Sequence, residues 1–336
     1  MLSDDTISAV LSSVGVSADR IAARVPLTGG TFNTVTRVTL TDGDDWVVKT
    51  PPPATAGTLM SYERDLLVNE VEFYTRAAGS TVIPRVLHSE LDPNAPTGPY
   101  VIMSACPGRP WNDFTPDSLS AAEGRRLRGD LGRIVARLHS VTGSGGFGYP
   151  GRAVGPLAPT WRQAFTAMTD AVLADADTYR ARLPRPTAGI RALLAAASPV
   201  LDDVTRPALV HFDLWQGNLL VDGEPGARAI GGVIDGERMF WGDPVADFVS
   251  LALFGNVEED VDFLAGYAEG DGRVIAFDAS VRLRLALYRC YLYLIMLVET
   301  VPRRASRKDR EWAWTEVAPQ LESALADVES ALRTGD

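Results

Sequence analysis

Lysine is almost missing from this chain. Of 32 basic residues only Lys49 and Lys308 are lysines; every other one is arginine. Cysteine is as scarce, with Cys106 and Cys290 standing in unrelated contexts, which excludes a disulfide framework and fits a reducing compartment. Three histidines (His88, His139, His211) and two scattered cysteines do not make a standard zinc site. No apolar run exceeds Cys290–Val298, half a membrane span, so no membrane segment is expected. The start, MLSDDTISAVL, lacks the basic-then-apolar order of a signal peptide, and a cytoplasmic location is the expectation. Basic residues are outnumbered by 43 acidic ones, giving a net charge of −11. That balance argues against nucleic acid or anionic lipid as partner and tilts towards cationic small molecules. The P-loop pattern G-x-x-x-x-G-K-[ST] and the hydrolase pattern G-x-S-x-G are both missing.

What is present is an ordinary globular composition. The chain has 336 residues, 46% apolar and 22% charged, enough for two domains or one large bilobal unit. The first hundred residues read as strands at about 21–27, 34–40, 44–50, 84–91 and 99–103. Hairpin turns and one helix, about Tyr62–Ala78, interrupt them. Ser104-Ala105-Cys106-Pro107-Gly108 reads as a hinge. Beyond it the pattern turns helical, opening with the capping box Ser120-Ala121-Ala122-Glu123. A short strand-rich island is expected at about 208–221 and 229–234. The predicted fold class is therefore α+β, with a small antiparallel-sheet lobe over 1–104 and a larger, mostly helical lobe over 105–336. Gly143-Ser144-Gly145-Gly146-Phe147-Gly148 fits G-x-G-x-x-G, but it follows a helix where the dinucleotide fingerprint requires a strand.

The informative stretch is Leu209-Val210-His211-Phe212-Asp213-Leu214-Trp215-Gln216-Gly217-Asn218-Leu219-Leu220-Val221, a polar loop between two apolar strands. Its H-x-D-x-x-x-x-N spacing is followed by Val233-Ile234-Asp235, another apolar strand that ends in an aspartate. These are the parts that phosphoryl transfer needs, because catalysis there is positioning plus charge neutralisation. Asp213 is placed to accept or orient the proton of an acceptor hydroxyl. Asn218 and Asp235 offer hard oxygens to Mg²⁺. Lys49 ends the strand DDWVVKT in a chain that otherwise writes arginine; a compact point charge is what α- and β-phosphates require there. Glu70, in preference to Glu72, is expected to pair with it. The backbone of Gly29-Gly30-Thr31 allows close approach to phosphates. His211 and His139 read as packing and hydrogen-bonding histidines rather than as acids or bases.

With these residues the chain resembles the aminoglycoside phosphotransferase family, small-molecule kinases with a bilobal protein-kinase-like fold. HFDLWQGN matches its catalytic loop and VIDGERMFWGDPVADF its metal-binding segment. TGGTFNTVTRV is similar to its nucleotide loop, VVKTP to its lysine strand, NEVEFYTRAAG to its glutamate helix and YVIMSACPG to its hinge. The likeness covers about residues 20–255. It implies ATP or GTP as donor and Mg²⁺ as cofactor. Gly30, Thr31 and Asn33 would lie at the phosphates, and backbone groups of Ser104 and Cys106 at the nucleobase. Asp243 and Asp247 would brace the catalytic loop. Two departures stand out: Phe212, where the family usually has glycine, and Gly236-Glu237 after Asp235, where an aromatic is commoner. The expected activity is γ-phosphoryl transfer to a hydroxyl of a small molecule, an aminoglycoside or other antibiotic, by a monomer or homodimer. A metabolic kinase of a sugar, amino alcohol or hydroxy acid is the alternative. A protein kinase and a nucleotide-binding pseudokinase are weaker rivals.

Overall fold

The computed structural model describes residues 4–27, 33–52, 58–115, 117–271 and 274–334. Gly30 and Thr31 lie outside the described residues. The N-terminal part contains a five-stranded antiparallel sheet built from β1 (Ile21–Leu27), β2 (Thr34–Leu40), β3 (Asp45–Thr50), β4 (Val86–Glu90) and β5 (Tyr100–Ser104), in the order β1-β2-β3-β5-β4. Helix α1 (Asp4–Ser13) covers one face, and Ile7, Val10 and Leu11 meet Val38, Val48 and Ile102 in a small core. Helix α2 (Leu66–Arg76) packs on β4 and β5. Its residues Leu66, Leu67, Phe73 and Tyr74 belong to the large core that also fills the C-terminal part.

The helix expected over Tyr62–Ala78 is broken. A 3-10 turn occupies Ser61–Asp65, Asp65 leaves helical geometry at φ −127° and ψ 33°, and α2 begins only at Leu66. The break has a tertiary cause: Ser61 is held by Asp175 through its N–H and its hydroxyl, both at 2.7 Å, and Glu63 is held by Arg303. These contacts fix the turn on a different axis from the helix.

The C-terminal part begins with the two-residue strand β6 (Arg109–Pro110) and α3 (Ala121–Ser140). Ser120 and Glu123 form the expected reciprocal cap. Helices α4 (Trp161–Tyr179) and α5 (Thr187–Ala197) follow, then β7 (Ala208–Val210), β8 (Leu219–Asp222), β9 (Ala229–Val233) and β10 (Phe240–Gly242). β8 and β9 form a hairpin flanked by β6, while β10 pairs with β7. Three-residue β10 carries no periodicity and was not expected. Helices α6 (Asp247–Leu251), α7 (Val261–Asp271), α8 (Ala279–Val298), α9 (Arg307–Trp312) and α10 (Ala318–Thr334) complete the chain. No helix among the described residues is long and apolar enough to cross a membrane.

Helices α3 and α7 cross closely because glycines meet there. A Cβ at Gly266 would stand 2.0 Å from the Gly129 carbonyl oxygen, and one at Gly132 2.2 Å from that of Phe263. Close-packed interiors do not absorb such volume. Gly266→Val should therefore lower the unfolding free energy by at least about 1–3 kcal/mol in urea titrations; parental stability would show that the crossing is looser than described.

Candidate active site

The β8–β9 hairpin sets the first part of the geometry. Its register pairs Leu219 with Val233, so Asn218 at the start of β8 and Asp235 just past β9 lie side by side; the Ile234 N–H donates to the Asn218 carbonyl at 3.0 Å. Asn218 also donates its side-chain N–H to the backbone carbonyl of Asp213 at 2.9 Å, which leaves its Oδ1 as the remaining hard donor. Asp235 takes a left-handed backbone, φ 63° and ψ 48°, a conformation that aspartate tolerates better than most residues.

Lys49 arrives from the sheet. It is buried on β3 and its ammonium meets three carboxylates: Asp235 Oδ1 at 2.5 Å, Glu237 Oε2 at 2.7 Å and Glu70 Oε2 at 2.9 Å. Glu72 points its charge elsewhere, pairing with Arg76 at 2.9 Å. Tyr74 ties the group together, since its hydroxyl donates to Glu70 Oε1 at 3.0 Å and accepts the Asp235 N–H at 2.9 Å. Asn33 donates its amide N–H to Glu237. Asn69, fully buried on α2, donates to the Glu237 carbonyl at 3.3 Å and accepts the Gly151 N–H at 2.8 Å.

Glu237 is the residue that the sequence reading missed. Its signal was there, a Gly-Glu pair directly after Asp235, yet only the fold shows that the acid turns inward. Burial pushes its carboxyl up to about 8; Lys49 opposes that shift, and Asp235 and Glu70 reinforce it. Burial likewise raises Glu70. Burial works in the same direction on Asp235, but Lys49 outweighs it and holds this carboxyl below its ordinary value. Burial would depress Lys49, and its three carboxylates reverse the sign and raise it.

Side-chain oxygens of Glu70, Asp235 and Glu237 lie within 4.8 Å of one another. Three carboxylates around one ammonium carry an excess of negative charge, and hard oxygens at this spacing suit Mg²⁺. The donor set thus fits the implied ion. Asn218 and Asp235 were the expected ligands; Glu237 stands beside Asp235 in the same cluster.

The loop between β7 and β8 carries Asp213. Asp247 accepts the backbone N–H of His211 at 3.1 Å and that of Phe212 at 2.5 Å, and Ser250 Oγ accepts the N–H of Leu214 at 3.0 Å. His211 bridges to the Ile234 carbonyl at 2.9 Å, and His139 contacts Asp247 and Tyr267 at 2.9 Å each. Both histidines are therefore used in scaffolding. Asp247 braces the loop. Asp243 instead caps Val245 and takes Tyr288 and Arg284, which fastens α8. Phe212 sits at φ 62°, which glycine reaches freely and a bulky residue at a cost of about 1–2 kcal/mol. Its fully buried ring, packed on Phe240 and Tyr291 at centroid distances of 5.0 and 5.6 Å, offsets that strain.

The Arg238 guanidinium lies 3.9 Å from the Asp213 carboxylate. Burial raises the Asp213 carboxyl and Arg238 opposes it. At the hinge, Ser104 spends its N–H on the Arg85 carbonyl at 2.9 Å. Cys106 follows two residues later, and burial pushes its thiol up to about 11. Ser104 lies three residues along β5 from Val101, the register partner of Lys49. Trp215, 40% exposed, folds over Gly217, where a Cβ would meet its ring at 2.2 Å.

A lysine strand, a glutamate helix and a hairpin carrying an asparagine and an aspartate define a protein-kinase-like phosphotransferase scaffold. The sequence profile of the phosphotransferase enzyme family (APH) matches residues 24–287, and the chain belongs to that family. Viomycin phosphotransferase from Streptomyces vinaceus is 29% identical over 197 residues. That match spans 56% of this chain and 63% of the relative, less than two thirds of its length. Among solved structures, a thermostable mutant of aminoglycoside phosphotransferase APH(4)-Ia with AMP-PNP and hygromycin B superposes with a TM-score of 0.59, at 17% identity over 98% of this chain and 99% of that one. Macrolide 2′-phosphotransferase MphH from Brachybacterium faecium gives 0.56, at 18% identity over 94% and 97%. These structures share the α+β bilobal fold.

The Glu237 shift has a consequence for stability. An unfolded glutamate titrates at about 4.3, whereas the folded one titrates at about 8. Between those values the folded state holds a proton that the unfolded state releases, so stability falls as pH rises through the interval. In Glu237→Gln this contribution is gone. Between pH 5 and 8.5 the thermal midpoint of the variant should decline less than that of the parent; an identical decline would mean that Glu237 does not hold the proton.

Proposed function

We propose that this protein is an O-phosphotransferase that moves the γ-phosphoryl group of ATP or GTP to a hydroxyl of a small molecule. The observation that carries the reading is the convergence of Lys49, Glu70, Asn218 and Asp235 beside Asp213, from segments up to 186 residues apart. Lys49 would hold the α- and β-phosphates, with Glu70 fixing the lysine. Asn33 and the Gly30-Thr31 backbone would face the phosphates, and Ser104 and Cys106 would offer backbone groups to the nucleobase. Asp235 and Asn218, joined by Glu237, would hold Mg²⁺, which when bound neutralises charge building on the phosphate oxygens. Lys49 then has to share Asp235 with the ion. Asp213 would orient the acceptor hydroxyl and take its proton, with Arg238 opposing the upward shift that burial imposes on its carboxyl. The loop that carries Asp213 rests on an apolar floor that includes Phe212, Phe240 and Tyr291.

Residues 1–104 serve in this reading as the nucleotide lobe and 105–336 as the catalytic and acceptor lobe, acting in the cytoplasm. The acidic balance, with the viomycin and hygromycin B named for proteins this chain is similar to, supports a cationic antibiotic as acceptor. A polypeptide acceptor is disfavoured because Asp243-Pro244 follows Asp235 so closely that no activation segment fits between them.

Purified protein with Mg²⁺ and either ATP or GTP should phosphorylate a member of a panel of peptide, aminoglycoside and macrolide antibiotics, amino sugars and amino alcohols. Turnover of peptides alone would overturn the small-molecule reading. Asp213→Asn should lower kcat by roughly two to four decades with nucleotide affinity kept. Lys49→Arg should also fail, because a planar fork cannot replace a compact ammonium among three carboxylates. Parental rates in either variant would remove that residue from its role.

A further inference from the structure

Behind Asp213 five charges alternate along a path that the proposed chemistry does not use. Arg238 faces Asp213 with its Nε at 3.9 Å and pairs through its Nη2 with Glu299 at 3.0 Å. Glu299 also meets Arg303 at 3.3 Å. Arg303 in turn clasps Glu63 Oε1 with two donors, at 2.9 and 2.5 Å, and the other Glu63 oxygen accepts the Met60 N–H at 2.8 Å. The path is largely shielded from water: side-chain exposure is 20% at Asp213 and 0% at Glu63. A shielded chain of this kind is held by geometry, because each member that loses its neighbour becomes an uncompensated charge. Glu299 caps the C-terminal end of α8, and Arg303 lies one turn further along the chain.

The two ends of the path belong to different parts of the site. Asp213 is the candidate base. Glu63 lies on the 3-10 turn that runs, through the break at Asp65, straight into α2, and α2 carries Glu70 to Lys49. The same turn is fastened to α4 by Asp175 on Ser61, and the segment just before it by the Tyr179 hydroxyl, which donates to the Leu59 carbonyl at 2.7 Å. The first turn of α2 thus takes its position from contacts with the C-terminal part and not from the sheet alone.

We propose that Glu63, Glu299 and Arg303 are positioning residues: through the Ser61–Asp65 turn they set α2, and so Glu70 on Lys49, while through Arg238 they set Asp213. One charged chain then places both the phosphate-holding and the proton-accepting groups. The inference rests on the nucleotide reading above and goes beyond it, because neither Arg303 nor Glu63 is part of the phosphate site. Coupling of this kind between separated groups typically amounts to five- to 150-fold in affinity.

The test is the binding of the fluorescent analogues MANT-ATP and MANT-GTP, each with Mg²⁺, to the full chain. Arg303→Met should raise the Kd of the preferred analogue by about tenfold. Arg303→Lys, which keeps a cation between the two carboxylates, should recover most of the affinity. Arg133→Met, which breaks an exposed ion pair with Asp130 and Glu269, should bind like the parent. Glu63→Gln keeps the side-chain shape and supplies the same readout if Arg303→Met does not fold, with circular dichroism confirming the fold of each variant. Folded Arg303→Met or Glu63→Gln binding at parental affinity would overturn the inference and leave the nucleotide reading standing. Failure of the parent to bind either analogue would sink both.

Discussion

One buried ammonium faces three carboxylates, and most of the remaining architecture serves that encounter. In a low-dielectric setting neither sign is stable alone: an unpaired lysine would shed its proton, and the carboxylates would take protons up. Lys49 keeps its charge because Asp235, Glu237 and Glu70 surround it, and burial in turn pushes the Glu237 carboxyl up to about 8. The cluster holds more acid than it can neutralise by itself. A divalent cation with a polyphosphate is the kind of ligand that would redistribute these charges, with Asp235 turned to the metal and Lys49 to the phosphates.

The scaffold follows from where those groups must stand. β3 presents the lysine, α2 presents Glu70 one helical face away from Glu72, and the β8–β9 hairpin presents Asn218 and Asp235 by register alone. Tyr74 and Asn69, both on α2, stitch the helix to the Asp235–Glu237 segment with neutral hydrogen bonds, which carry no further charge into an acidic interior. Asp247 performs a comparable service for the loop of Asp213, and the cost of a left-handed Phe212 is met by its ring in the core.

Much of this was legible in the sequence. The strand ending in Lys49, the capping box at Ser120 and the polar loop between apolar strands all depend on local pattern, and local pattern is what a sequence displays. The choice of Glu70 over Glu72 was legible only through helical periodicity. Other features depend on partners far along the chain. Glu237 reads as a surface acid until Lys49 and Asn33 are brought to it, and the helix expected from Tyr62 breaks because Arg303 and Asp175 hold its first turn. Strand β10 exists because β7 pairs with it, and its three residues have no signal of their own. The acceptor is illegible for a further reason: pocket shape comes from packing around Asp213, and no motif encodes it.

The central claim is that Asp235 belongs to a metal-dependent phosphate site shared with Lys49. The most direct measurement is calorimetric titration of ATP and GTP analogues with non-transferable γ-phosphates into the parent and into Asp235→Asn, each with and without Mg²⁺. Mg²⁺ should tighten binding to the parent, and this gain should be lost in the variant. An undiminished gain in Asp235→Asn would contradict the claim.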